Sequence, residues 1–114
     1  MKKVKQILVE NKPKGISLDE VLMCVDISLD YISEILGVEF EYSEEQCGPL
    51  EDCIIDIGDN RFIYIHKWEL EPENYTKFNT QILDSPLLKD IKMCVINLLG
   101  IKETQIKWVN PKVS

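Results

Sequence analysis

A lone histidine, His66, and four cysteines are the side chains of this 114-residue chain best suited to chemistry near neutral pH. Two of the thiols, Cys47 and Cys53, bracket the segment CGPLEDC. A thiol held beside an imidazole makes a nucleophile–base pair, so a small enzyme using Cys47 or Cys53 with His66 is one alternative reading. Nothing in the spacing places them together, and the two cysteines fit neither a zinc nor a redox signature. A zinc site built from Cys47, Cys53 and His66 would still need a fourth ligand. In RFIYIHKW the histidine reads more simply as a neutral strand residue with one hydrogen bond. Glu51 and Asp52 are adjacent acids that, on an exposed loop, keep ordinary acidity. The segment DIGDN lacks the alternating ligands of a calcium loop, and no glycine-rich phosphate loop is present. No catalytic residue, metal or cofactor is therefore expected.

Cys24 and Cys94 fall in apolar stretches, where a free cysteine behaves as a small buried hydrophobe. A Cys47–Cys53 disulfide is the minor alternative to reduced thiols in a cytoplasmic protein. The start, MKKVKQILVE, has too short an apolar run for an export signal. No stretch approaches the roughly 20 apolar residues of a membrane span. A cytoplasmic location and no membrane partner are expected. The composition, 45% hydrophobic and 29% charged, is that of an ordinary globular protein, and a single domain over 1–114 is expected.

Residues 2–10 space Val4, Ile7 and Leu8 as a short helix, and NKPKG is a linker. In GISLDEVLMCVDISLDYISEILG, Ser17 and Glu20 read as a capping box. Leu18, Val21, Leu22, Val25, Leu29, Ile32 and Leu36 follow at helical spacing, with Gly37 as the stop. A helix over 18–36 is predicted, with a break near Asp26 as an option. The same residues resemble a helix-turn-helix over 17–36, with Ile27-Ser28 leading into a second helix packed by Ile32 and Ile35-Leu36. Leu22 and Asp26 depart from that pattern. Asp30 and Glu34 on its reading face would repel phosphates. A regulatory module with a degenerate helix-turn-helix is thus a second alternative, and the amphipathic helix the simpler account.

Val38–Tyr42 reads as a strand and SEEQCGPLED as a loop. Residues 53–57 and 61–68 read as strands joined by Gly58-Asp59-Asn60. Residues 69–84 read as a long connection. A helix starts at Ser85-Pro86 and ends at Gly100, and 104–109 supplies a last strand. The expected fold is α+β: an antiparallel sheet of three or four strands packed against two main helices.

Charge is the strongest functional signal. Residues 1–14 carry a net +4, residues 15–60 a net −13 with no cation, and residues 61–114 a net +2, within a total of −7. An anionic face speeds encounter with a basic partner and rejects nucleic acid. The function expected is therefore a non-catalytic acidic inhibitor or immunity-type protein that occupies the cationic site of a toxin or nucleic-acid-binding effector. Asp30, Glu34, Glu39, Glu41, Glu44, Glu45, Glu51 and Asp52 are the expected partner-binding residues. The aromatics are interleaved with acids rather than lining a positive groove, which argues against base stacking. Neither nucleic acid nor a membrane is an expected partner.

Overall fold

The strongest strand pattern, CIIDIGDNRFIYIHKW, forms the centre of the fold. In the computed structural model, which describes residues 4–71 and 74–113, β4 (Gly48–Gly58) turns into β5 (Arg61–Trp68). Asp59 and Asn60 make the turn at φ 54° and 59°, a left-handed pair that suits a tight hairpin between twisted strands. Ile63 and Ile65 face one side and Phe62 and Tyr64 the other, and both faces are covered.

Around this hairpin lie β1 (Lys5–Ile7), β2 (Glu20–Asp26), β3 (Glu41–Glu45), β6 (Tyr75–Thr80) and β7 (Ile106–Val109). The order is β1-β4-β5-β6-β2-β7, with β3 lying on β4 beyond β1, and every pairing is antiparallel. The seven strands replace the three or four expected. Helices α1 (Leu29–Leu36) and α2 (Ser85–Leu99) cover one face. There Met23, Val25, Ile63, Ile65 and Phe78 meet Ile32, Leu36, Leu88, Val95 and Leu99. Each such side chain removed from water contributes about 1.5–3 kcal/mol. On the opposite face the segment before β2 lays Val9, Ile16 and Leu18 over Ile54 and Phe62.

Several expectations are corrected. The predicted helix over 18–36 is a strand, a break and a shorter helix. With neighbours on both edges, β2 buries Leu22, Met23, Cys24 and Val25 alike, and the register shift between Val21 and Met23 brings Leu22 into the same helix-side core as Met23 and Val25. Such a run satisfies helical spacing by coincidence. The cap is Ser28, whose Oγ accepts from the Tyr31 amide at 3.1 Å, while Ser17 bonds Asp19 instead of closing a capping box. No helix-turn-helix exists over 17–36, because its first helix is the middle of a sheet.

The helix expected over 2–10 is β1 followed by a 3-10 turn at Val9–Asn11; Lys2 and Lys3 lie outside the described residues. The loop expected over 43–52 is a hairpin turning at Gln46-Cys47, so the strand expected at 38–42 begins later, at Glu41. The connection over 69–84 contains β6, where Thr76, Phe78 and Thr80 point into the core and Tyr75, Lys77 and Asn79 lie on the other face. All four cysteines are free. Among the described residues, no helix is long and apolar enough to cross a membrane.

Candidate functional site

The β3–β4 hairpin concentrates the acids. Its register sets Glu41 against Asp52, Tyr42 against Glu51, Ser43 against Leu50 and Glu44 against Pro49. Strand alternation therefore sorts the side chains into two sets. Tyr42, Glu44 and Glu51 lie on one face, and Glu41, Ser43, Glu45 and Asp52 on the other.

The first set borders a cleft of about 270 Å³ lined by Tyr42, Pro49, Glu51, Lys67 and Glu69. Tyr42 is 60% exposed, and its hydroxyl donates to Glu44 at 3.2 Å. Its phenol is held above the ordinary value by partial desolvation, by the Glu44 bond and by the charges of Glu44, Glu69 and Glu51. Three carboxylates thus act on the Tyr42 hydroxyl, two of them, Glu51 and Glu69, from the lining of the same cleft. The Lys67 ammonium in this lining donates to the carbonyls of Trp68 and Glu71 at 3.5 and 3.4 Å. A carboxylate-rimmed ring is suited to a guanidinium or ammonium, which gains both ion pairing and attraction to the aromatic face.

The second set is largely committed to the fold. A Glu41 carboxylate oxygen accepts from the Val9 amide at 2.8 Å, which pins the N-terminal segment. Asp52, expected as an exposed contact residue, is 6% exposed. It accepts from the Tyr64 hydroxyl at 2.6 Å. Burial raises its pKa; the Tyr64 bond works against this, and the neighbouring Glu41 adds to it. Tyr64 stacks on His66 with ring centroids 4.7 Å apart. His66 Nε2 lies 3.0 Å from Asn79 Oδ1, so this nitrogen carries the proton. Burial lowers the His66 pKa, as does Lys77, against the Asn79 bond. The imidazole is therefore neutral at pH 7.

The remaining expected contact residues lie elsewhere. Asp30 and Glu34 are exposed on α1. Asp30 stands in the first turn, where the helix dipole favours it. The Glu39 backbone is held by the Gln6 side chain at 2.5 and 2.9 Å, leaving its carboxylate exposed between α1 and β3. The thirteen acids do not gather on one side. Two of them are neutralised from the C-terminal end, Glu20 by Lys112 at 2.6 Å and Asp26 by Lys107 at 3.9 Å. None of the hairpin's acids belongs to an ion pair among the described residues.

The thiol–imidazole pair is not assembled. Cys53 is fully buried on the helix side, its pKa pushed up to about 12 by desolvation and the charges of Asp52 and Glu41. His66 sits on the opposite face. Cys47 lies in the hairpin turn, five residues from the Asp52 that pairs with His66, roughly 16 Å along a strand. Among the described residues no group of three or more metal-ligating side chains occurs. Tyr42 and Glu69 were not singled out from sequence. Glu69 lies outside the acidic block, and Tyr42 reads as core until the hairpin's register is known. No family model, curated protein or solved structure matches this chain.

Proposed function

We propose that this chain is a non-catalytic, acidic protein-binding domain of the inhibitor or immunity type, docking through the β3–β4 hairpin onto the cationic site of a nucleic-acid-acting partner. The observation that carries this reading is the cleft in which Tyr42 stands among Glu44, Glu51 and Glu69. An incoming arginine there meets a ring face and carboxylates in the arrangement that phosphate oxygens would otherwise offer it. The eight acids expected from sequence reduce to a smaller contact set. Glu44 and Glu51 join Tyr42 and Glu69, Glu41 and Asp52 serve the fold, and Glu45 on the hairpin's other face, with Asp30, Glu34 and Glu39, stands apart as charge that steers approach.

The test is an NMR titration with a short arginine-rich peptide. Amide shifts should centre on Tyr42, Glu44, Glu51 and Glu69, and the double reversal Glu44→Lys with Glu51→Lys should weaken binding by about tenfold or more. Random duplex DNA should cause no shift. Peptide shifts scattered over the surface, or unchanged affinity in the reversed variant, would overturn the reading.

A further inference from the structure

The two ends of the sheet differ in charge and in what lies behind them. Among the described residues, β3 at one end pairs only with β4, and β7 at the other only with β2. Each leaves one row of backbone donors and acceptors facing outward, a template for another strand. Strand β3, EYSEE, bears three carboxylates and no cation. Residues 104–113, which include β7, bear Lys107 and Lys112 and no carboxylate. Asp26 and Glu20 lean on those lysines, yet both lysine side chains remain more than 40% exposed. Beside β7, α2 and the chain leading from it leave a groove of about 650 Å³. Its lining is Ile96, Ile101, Ile106 and Val109, with Lys92 and Glu103 as its charged members.

We propose that β7 receives the β3 edge of a second copy of this chain, extending the sheet head to tail. With the helices of both copies on the same side, the incoming Tyr42 and Glu44 face the apolar groove, and Glu41, Ser43 and Glu45 lie on the side of the exposed Trp108. Tyr42, with 60% of its surface in water, supplies the apolar anchor that the groove lacks. The like-with-like pairings are opposed by charge: β3 on β3 sets carboxylate against carboxylate, and β7 on β7 sets lysine against lysine. A contact between unlike edges leaves a free edge at each end, so association continues beyond a dimer. This inference rests on the hairpin being a docking edge and adds a second ligand for it, which a foreign cationic partner would displace. Four- and five-residue edges make a small interface of the transient class.

Sedimentation velocity up to about 1 mM protein tests this, at about 20 mM and about 500 mM salt. The average mass should rise above the 13.2 kDa monomer with concentration at low salt, and return to it at high salt. Two reversed variants, Glu44→Lys with Glu45→Lys and Lys107→Glu with Lys112→Glu, should each stay monomeric alone. Their equimolar mixture should assemble, because each then offers the other two complementary edges. Circular dichroism confirms that both are folded. A wild-type chain that stays monomeric throughout, a variant that assembles alone as well as wild type, or a mixture that does not assemble would each overturn the proposal. The arginine-peptide titration is read separately. Hairpin-centred shifts in a strictly monomeric protein would sink the self-pairing and spare the docking function.

Discussion

Asp52 and His66 face each other across β4 and β5 and respond to acid in opposite directions. Burial raises the Asp52 pKa, so its contribution to stability is fully present below the ordinary value near 3.8 and is lost as pH rises through the raised one. Asp52→Asn keeps an acceptor for Tyr64 and removes the charge opposite Glu41. It is expected to stabilise the protein by about 0.2–1 kcal/mol at pH 7, the usual scale of a like-charge cross-strand pair. Urea unfolding should show that gain at pH 7 and none at pH 3. His66 behaves the other way. Its lowered pKa contributes stability that is present above about 6.5 and is lost as pH falls through the lowered value. An NMR titration of the imidazole should give a midpoint below 6.5, and His66→Gln should flatten the loss of stability just below that pH. The environment of Asp52 was not legible in the sequence. Glu51-Asp52 reads as a pair of exposed acids until the sheet register sends one to the cleft and the other toward Tyr64. The simple reading of His66, a neutral strand residue with one hydrogen bond, agrees with its bond to Asn79.

At the scale of elements, the segments that declared themselves were those with one solvated face or a strong stop. Helix α2 has Pro86 in its first turn, Leu88, Ile91, Val95 and Leu99 along its buried face, and Gly100 at φ 63°. The β4–β5 hairpin has its turn pair. Strand β2 failed to declare itself because burial on both faces erases the alternation that marks a strand. Strand β6 failed because its inward side chains include two threonines, whose buried hydroxyls donate to the carbonyls of Ile27 and Phe62 at 2.8 Å. Ser28 is where the strand reading and the helix reading diverge, since it caps α1 in mid-segment. Ser28→Ala should cost about 1 kcal/mol, measured by thermal or urea unfolding, whereas Ser17→Ala should cost only a few tenths, because Ser17 caps no helix and bonds an exposed aspartate.

Over the whole molecule, the charge asymmetry of the chain survives folding in altered form. Of the block with net −13, five acids lie on the two sides of the β3–β4 hairpin, two on the exposed face of α1, two are neutralised by C-terminal lysines, and Asp19, Glu39, Asp56 and Asp59 stand elsewhere. Self-repulsion is thereby concentrated at the β3–β4 edge. Screening weakens it, the Debye length falling from about 30 Å at 0.01 M salt to about 10 Å at 0.1 M. The melting temperature should therefore rise over this range in circular dichroism melts, and rise less in the variant with Glu44→Lys and Glu45→Lys.

Composition, net charge, the β4–β5 hairpin and α2 follow from the sequence alone, because each rests on local chemistry: side-chain charge, turn residues and the spacing of one apolar face. The extent of the sheet, the fate of residues 18–36 and the division of the acids between cleft and fold were decided by tertiary structure. Those outcomes depend on which strands become neighbours and in what register, and a shift of one residue would exchange the two faces of the hairpin and carry Tyr42 away from Glu69. The turn at Gln46-Cys47 sets that register, whereas the neighbours of β2 and β6 are selected by long-range pairing of which local sequence carries no record.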